Sequence, residues 1–265
     1  NIPATNYLSH KPVIFNIIAR RIIDRNWFPS CYRPGFHTTR PDSHWFLEQY
    51  IPFEYANQRE SRGDSTKQQK DVGGARFGYW ARAPLSWEPY NPDHDDHQIS
   101  GNCRRIICRC LNVGTRHRLL KQDDVNFAFE EAVAGKSCIL SFTNHDFRDM
   151  KPDIEYVRSM LAEAKRLYPD VKIKFSTGSQ AIREIRALKK NSINCNVVQS
   201  QERIDIKVTD QIFGPQPFLA IKTKKGDYYH DNLDIITPFE QWSYTLDETT
   251  CKRDEIDELK IAFND

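Results

Sequence analysis

Two short polar stretches carry residue types that can move a proton or grip a charged group. Asn144-His145-Asp146 follows the apolar stretch Ser137–Phe142. A histidine at the end of a buried strand can serve as a general acid, with a neighbouring carboxylate such as Asp146 tuning its proton. The competing role is a histidine that caps the next loop. Arg148 and Asp149 come directly after, and either reach a ligand or form a local ion pair. The second stretch is Cys31-Tyr32-Arg33-Pro34-Gly35-Phe36-His37. Its arginine either orients a carboxylate through a bidentate contact or anchors the turn by donating to backbone carbonyls. Gly35 lets the backbone approach a ligand closely.

Three further groups are candidates. Asn6 and His10 stand four apart, the spacing that puts two side chains on one side of a helix and suits two metal ligands. Asparagine is a poor zinc ligand, and both residues also read as a loop ahead of the first helix. Pro92-Asp93-His94-Asp95-Asp96-His97 is the densest run of possible ligands, through His94, Asp96 and His97, and reads equally as a solvated loop. Trp80, Trp87 and Tyr90 lie just upstream, where aromatic rings either stack on sugars or cover a core. Glycine-rich phosphate loops and a Gly-x-Ser-x-Gly elbow are absent from the sequence.

The elements that must position these groups follow from periodicity. Residues 11–26 predict a helix, with Ser9 as cap, Pro12 in the first turn, and Val13, Ile14, Ile17, Ile18 and Ile22 on one face. A short strand or turn at 28–37 and a helix at 42–49 come next. Residues 57–71 lack apolar periodicity and predict an exposed, mobile loop. From Asp123 a helix ending at Gly135, a strand at 137–142, a helix at 152–168, a strand through Val171, Ile173 and Phe175, and a helix through Ile182 and Ile185 alternate. That alternation is the mark of an α/β sheet or barrel with parallel strands. After Asn191 the period shortens to two, with Ile204, Ile206 and Val208 alternating and Lys225-Gly226-Asp227 as a hairpin turn. The expected organisation is an α/β domain over 1–193 and a small all-β module over 194–265.

Composition narrows the partners. The chain has 265 residues, 38 Lys+Arg against 36 Asp+Glu, for a net charge of +2, and 39% hydrophobic residues. So even a balance argues against nucleic acid or an anionic membrane as the main partner. Arg104, Arg105, Arg109, Arg116 and Arg118 form a local basic group without the interleaved aromatics of a nucleic-acid surface. No apolar run approaches the roughly 18–20 residues of a membrane span. Seven cysteines, an odd number without a Cys-x-x-Cys pair, read as reduced core thiols of a cytoplasmic protein. The sequence leaves the oligomeric state open.

Taken in order, these motifs resemble the polysaccharide deacetylases with a NodB-homology domain, the carbohydrate esterase family 4 type. Tyr32-Arg33-Pro34-Gly35-Phe36 is similar to the family's arginine-containing motif, Leu140 to His145 to its final motif, and Asn6-Tyr7-Leu8-Ser9-His10 to its metal-binding His-x-x-x-His, with Asn6 in place of the first histidine. The resemblance spans roughly residues 1–190. It implies a distorted (β/α) barrel that removes acetyl groups from an N- or O-acetylated sugar or polysaccharide, possibly in surface polysaccharide synthesis. It implies a divalent metal, zinc in most members, with His10 and Asn6 as ligands. His145 would be the acid, aided by Asp146, and Arg33 would orient a carboxylate. Gly35, His37, Tyr90 and Arg148 would face substrate. The family's opening strand with paired aspartates has no counterpart, which points to a missing N-terminal strand or to a relative that binds sugar without turnover.

Overall fold

The computed structural model describes residues 10–35, 41–60, 80–114, 118–145, 147–189 and 193–265. Asn6, His37 and Asp146, with residues 61–71 of the expected loop, lie outside the described residues. The protein is a mixed α/β chain with one four-stranded parallel sheet and two separate antiparallel sheets. Its contacts divide it into two compact units.

One unit comprises Asn1–Ser30, Asp42–Pro52 and Lys189–Asp265. It holds α1 (Lys11–Arg25) and α2 (Pro41–Tyr50), a sheet of order β5-β6-β10-β9 and a sheet of order β11-β7-β8. The strands are β5 (Cys195–Gln199), β6 (Arg203–Val208), β7 (Phe218–Thr223), β8 (Tyr228–Asp231), β9 (Asp234–Thr237), β10 (Gln241–Thr245) and β11 (Ile256–Ala262). Strand alternation explains the layering. Ile204, Ile206, Trp242 and Tyr244 meet Leu219 and Ile221 between the two sheets. On the other face of β7, Phe218 packs against Phe15 of α1 and Tyr50 of α2.

The first helix and the C-terminal strand are further tied by Lys260, whose Nζ donates to the Ile23 carbonyl and to Asn26 Oδ1 at 2.7 Å. Asn264 donates to Pro29 O and Tyr50 O at 2.9 and 2.8 Å. The grouping thus differs from a single cut at residue 193, because α1 and α2 join the β-rich C-terminal part. Gly214 permits this packing: a Cβ there would sit 1.7 Å from the Gln49 carbonyl oxygen. The face of α1 is also corrected. Phe15, Ile18, Ala19, Ile22 and Ile23 are buried, while Val13 and Ile17 are exposed. The helix carries two apolar stripes, and the aromatic cluster around Phe218 selects the one containing Phe15.

The other unit comprises Cys31–Pro41 and Phe53–Leu188. Its strands β1 (Cys31–Tyr32), β2 (Phe53–Asn57), β3 (Ile106–Asn112) and β4 (Ser141–Thr143) pair in parallel in the order β1-β2-β3-β4. Each new strand is added on the same side of the last, so the sheet is singly wound. Helices α3 (Gln122–Val133) and α4 (Lys151–Leu167) cover one face through Leu111, Val125, Phe129, Val157 and Met160. The opposite face carries Phe53, Tyr55, Ile106, Cys108 and Cys110 and meets Ile182 of α5 (Gly178–Ile185).

Two expected strands are corrected. Residues 137–140 are not part of β4, since the Ile139 amide donates to the Trp87 carbonyl in a loop instead. Residues 171–177 form no strand: Ile173 and Phe175 are exposed, and alternation without a neighbour to pair with does not make a ladder.

Candidate functional site at the strand ends

In a parallel sheet the side chains that leave the carboxyl ends of the strands share one edge, and ligands bind there. Register identifies which of them share a face. Cys110 aligns with Ser141 and Asn112 with Thr143, and aligned residues in a sheet point the same way. An irregularity between Glu54 and Asn57 aligns Asn57 with Arg109, so the next residue, Gln58, is level with Cys110. Both Asn57 and Arg109 turn to the α3 side, where they donate to Pro84 O and Leu85 O. Gln58, Cys110, Asn112, Ser141 and Thr143 therefore share the α5 face. Arg33, one residue past β1, stands opposite Tyr55 by register and so shares this face, nearer the start of the row.

The result is a polar row across all four strand ends. Arg33 is half-buried, and its Nε is enclosed without a hydrogen-bond partner. Burial lowers the pKa of this guanidinium from its ordinary value. Gln58 is 2% exposed. Its Oε1 accepts from Arg118 Nη1 at 3.1 Å, and its Nε2 has no partner. The Ser141 hydroxyl donates to the Arg109 carbonyl and lies against the Cys110 thiol, which burial pushes up to about 12. His145 stands two residues past Thr143, exposed, with its ring 5.2 Å from that of Phe147. Arg33 and His145 thus occupy opposite ends of the row, three strand spacings or roughly 14 Å apart along the sheet. One acetyl group cannot touch both, whereas a short oligosaccharide can.

The remaining candidates fall elsewhere. Arg148 is held in place by Asp153 at 2.5 Å and Asn144 at 3.2 Å, and so braces the loop between β4 and α4. Tyr90 is a core residue, not a stacking platform. Its hydroxyl donates to His97 O at 2.7 Å, and its ring packs with Ala56, Trp80, Ala83 and Ile107. Trp80 and Trp87 are buried as well. A side chain at Gly35 would meet open space, so packing does not demand glycine there. His10 is the exposed residue ahead of α1, in the other unit. In the 92–97 run, His94 pairs with Asp95 at 2.8 Å, Arg82 takes Asp96, and His97 is buried edge-on to Trp80 at 4.9 Å.

Among the described residues, no three His, Cys, Asp or Glu side chains converge as metal ligands. The described residues therefore do not furnish the metal set that the resemblance implies. The basic group seen in the sequence is partly internal: Arg105 pairs with Glu54 at 2.8 Å and Arg109 with Asp124 at 2.6 Å, all four side chains enclosed. Among the described residues, no helix is long and apolar enough to cross a membrane.

Sequence reasoning missed Gln58, Asn112, Ser141 and Thr143. The available signal was position alone, a polar residue at or just past the end of each apolar strand run. Comparison with protein-family models, curated proteins and solved structures returned no match.

Proposed function

We propose that the parallel-sheet unit acts on carbohydrate in the manner of the polysaccharide deacetylases, on a sheet wound as in their distorted (β/α) barrel. The observation that carries this reading is the polar row of Arg33, Gln58, Asn112, Ser141, Thr143 and His145 along one edge. Amides and hydroxyls alternating with a cation suit a ligand rich in hydroxyl groups. In this reading His145 protonates the leaving group, and its exposure lets it regain a proton from solvent. Gln58, Asn112 and the hydroxyls of Ser141 and Thr143 orient the sugar, and Arg33 anchors its far end. When bound, a divalent metal such as zinc would polarise the acetyl carbonyl.

A second reading has a specific support. Asp124 and Asp153, the carboxylates seated beside β3 and β4, are each engaged with an arginine rather than presented to a ligand. This favours a relative that binds sugar without hydrolysing it.

One experiment separates them: acetate release from N- and O-acetylated oligosaccharides with zinc supplied, and calorimetric binding of the same compounds. The deacetylase reading predicts release by the wild type and a loss of at least about a hundredfold in His145→Ala. Binding without release establishes the second reading. Neither binding nor release rejects both.

A further inference from the structure

Two enclosed nitrogens without partners, Arg33 Nε and Gln58 Nε2, belong to neighbouring strands and the same face; by register Arg33 stands opposite Tyr55, and Gln58 lies further toward the carboxyl edge. A buried donor left unpaired is costly, more so when charged, and an incoming acceptor recovers that cost. The two groups ask for different acceptors. An amide nitrogen is satisfied by a hydroxyl or ring oxygen. An arginine whose Nε is unused offers its side-on edge, Nε with one terminal nitrogen, which matches two oxygens of one anionic group. The surrounding charge agrees. Arg118 leaves the same edge and donates to Gln58 Oε1.

We infer that the saccharide taken by this row carries an anionic substituent, a carboxylate or a sulfate ester, set against Arg33 while Gln58 donates to an oxygen of the same sugar. This rests on the carbohydrate reading above and adds a substrate class to it: acidic rather than neutral glycans. Arg33 is the residue that determines this preference, and His145, at the other end of the row, is not involved in it.

The test is calorimetric binding of two matched pairs to the full chain. One pair is oligogalacturonate and its carboxyl-reduced form. The other is a sulfated oligosaccharide and its desulfated form. Wild-type protein is expected to favour the charged member of at least one pair by about tenfold or more, and the pair that responds identifies the anion. Arg33→Met is expected to bind charged and neutral members alike, the charged members losing about tenfold or more relative to wild type. Arg33→Lys, which retains the charge without the two-nitrogen edge, is expected to keep part of the preference, and it stands in for Arg33→Met should melting show that variant unfolded. Equal binding of charged and neutral members by the wild type overturns the inference, as does a preference undiminished in both variants. Either result leaves saccharide binding itself standing. Failure to bind any of the four compounds instead removes the reading on which the inference rests.

Discussion

At the scale of single residues, the strand ends are held by contacts whose removal has unequal costs. Gly114 has φ +69°, and a Cβ there would lie 1.4 Å from Arg148 Nη2 and 2.4 Å from Asp153. Gly114→Ala combines an unfavourable backbone conformation with displacement of the Arg148–Asp153 pair, so denaturant melts should show a loss of about 2–3 kcal/mol. Asp124 accepts from Arg109 at 2.6 Å and from the Lys121 amide at 3.1 Å. Asp124→Ala strands a buried guanidinium and is expected to cost about 3–5 kcal/mol. Breaking the exposed Arg82–Asp96 pair with Arg82→Ala should cost under about 1 kcal/mol.

That Arg33 and His145 follow strands was legible in sequence, because each comes after a short β-prone stretch with a distinctive neighbour, Pro-Gly in one case and Asp in the other. Tyr90 was not, since an aromatic residue beside a polar loop reads alike whether it faces solvent or core. Gln58 and Asn112 went unnoticed because an amide at a strand end belongs to no motif. Only register and burial bring them together.

At the scale of elements, His230 of β8 joins α1, α2 and β7. Its ring stacks on Phe218 at 4.0 Å and meets Phe15 edge-on at 4.6 Å. Nδ1 lies 2.8 Å from Leu219 O and Nε2 lies 3.3 Å from the Tyr50 hydroxyl. Burial pushes its pKa down to about 4, with Lys11 adding to the shift and Asp231 and the Leu219 carbonyl opposing it. The unfolded chain takes up this proton near pH 6.5, so it binds more protons than the folded chain between pH 6.5 and 4. The contribution is fully present above pH 6.5 and falls away as the pH drops toward 4, by up to about 3 kcal/mol. Urea melts across that window should show the fall in wild type and a smaller slope in His230→Phe.

The same elements show where periodicity succeeds. The alternation of Ile204, Ile206 and Val208 located β6, because half-burial imposes a period of two. It misled at Val171–Phe175, where the same alternation has no partner strand.

At the scale of the whole molecule, none of the seven cysteines is in a disulfide. Cys108, Cys110 and Cys251 are buried, while Cys31 and Cys195 are exposed. Thiol titration of the native protein should modify Cys31 and Cys195 first, with Cys108, Cys110 and Cys251 reacting only after denaturation. Local sequence foresaw a parallel α/β part and a β-rich part. It did not foresee that α1 and α2 group with the latter, because that grouping depends on contacts such as Phe15–Phe218 and Lys260–Ile23, more than two hundred residues apart in the chain.

The central claim is that the polar row at the strand ends is where saccharide binds. The most direct measurement is hydrogen–deuterium exchange with and without a saturating acetylated, acidic oligosaccharide. Slowed exchange confined to residues 32–35, 57–60, 110–114 and 141–145 is the predicted result. Protection restricted to the antiparallel sheets, or exchange unchanged throughout the chain, would contradict the claim.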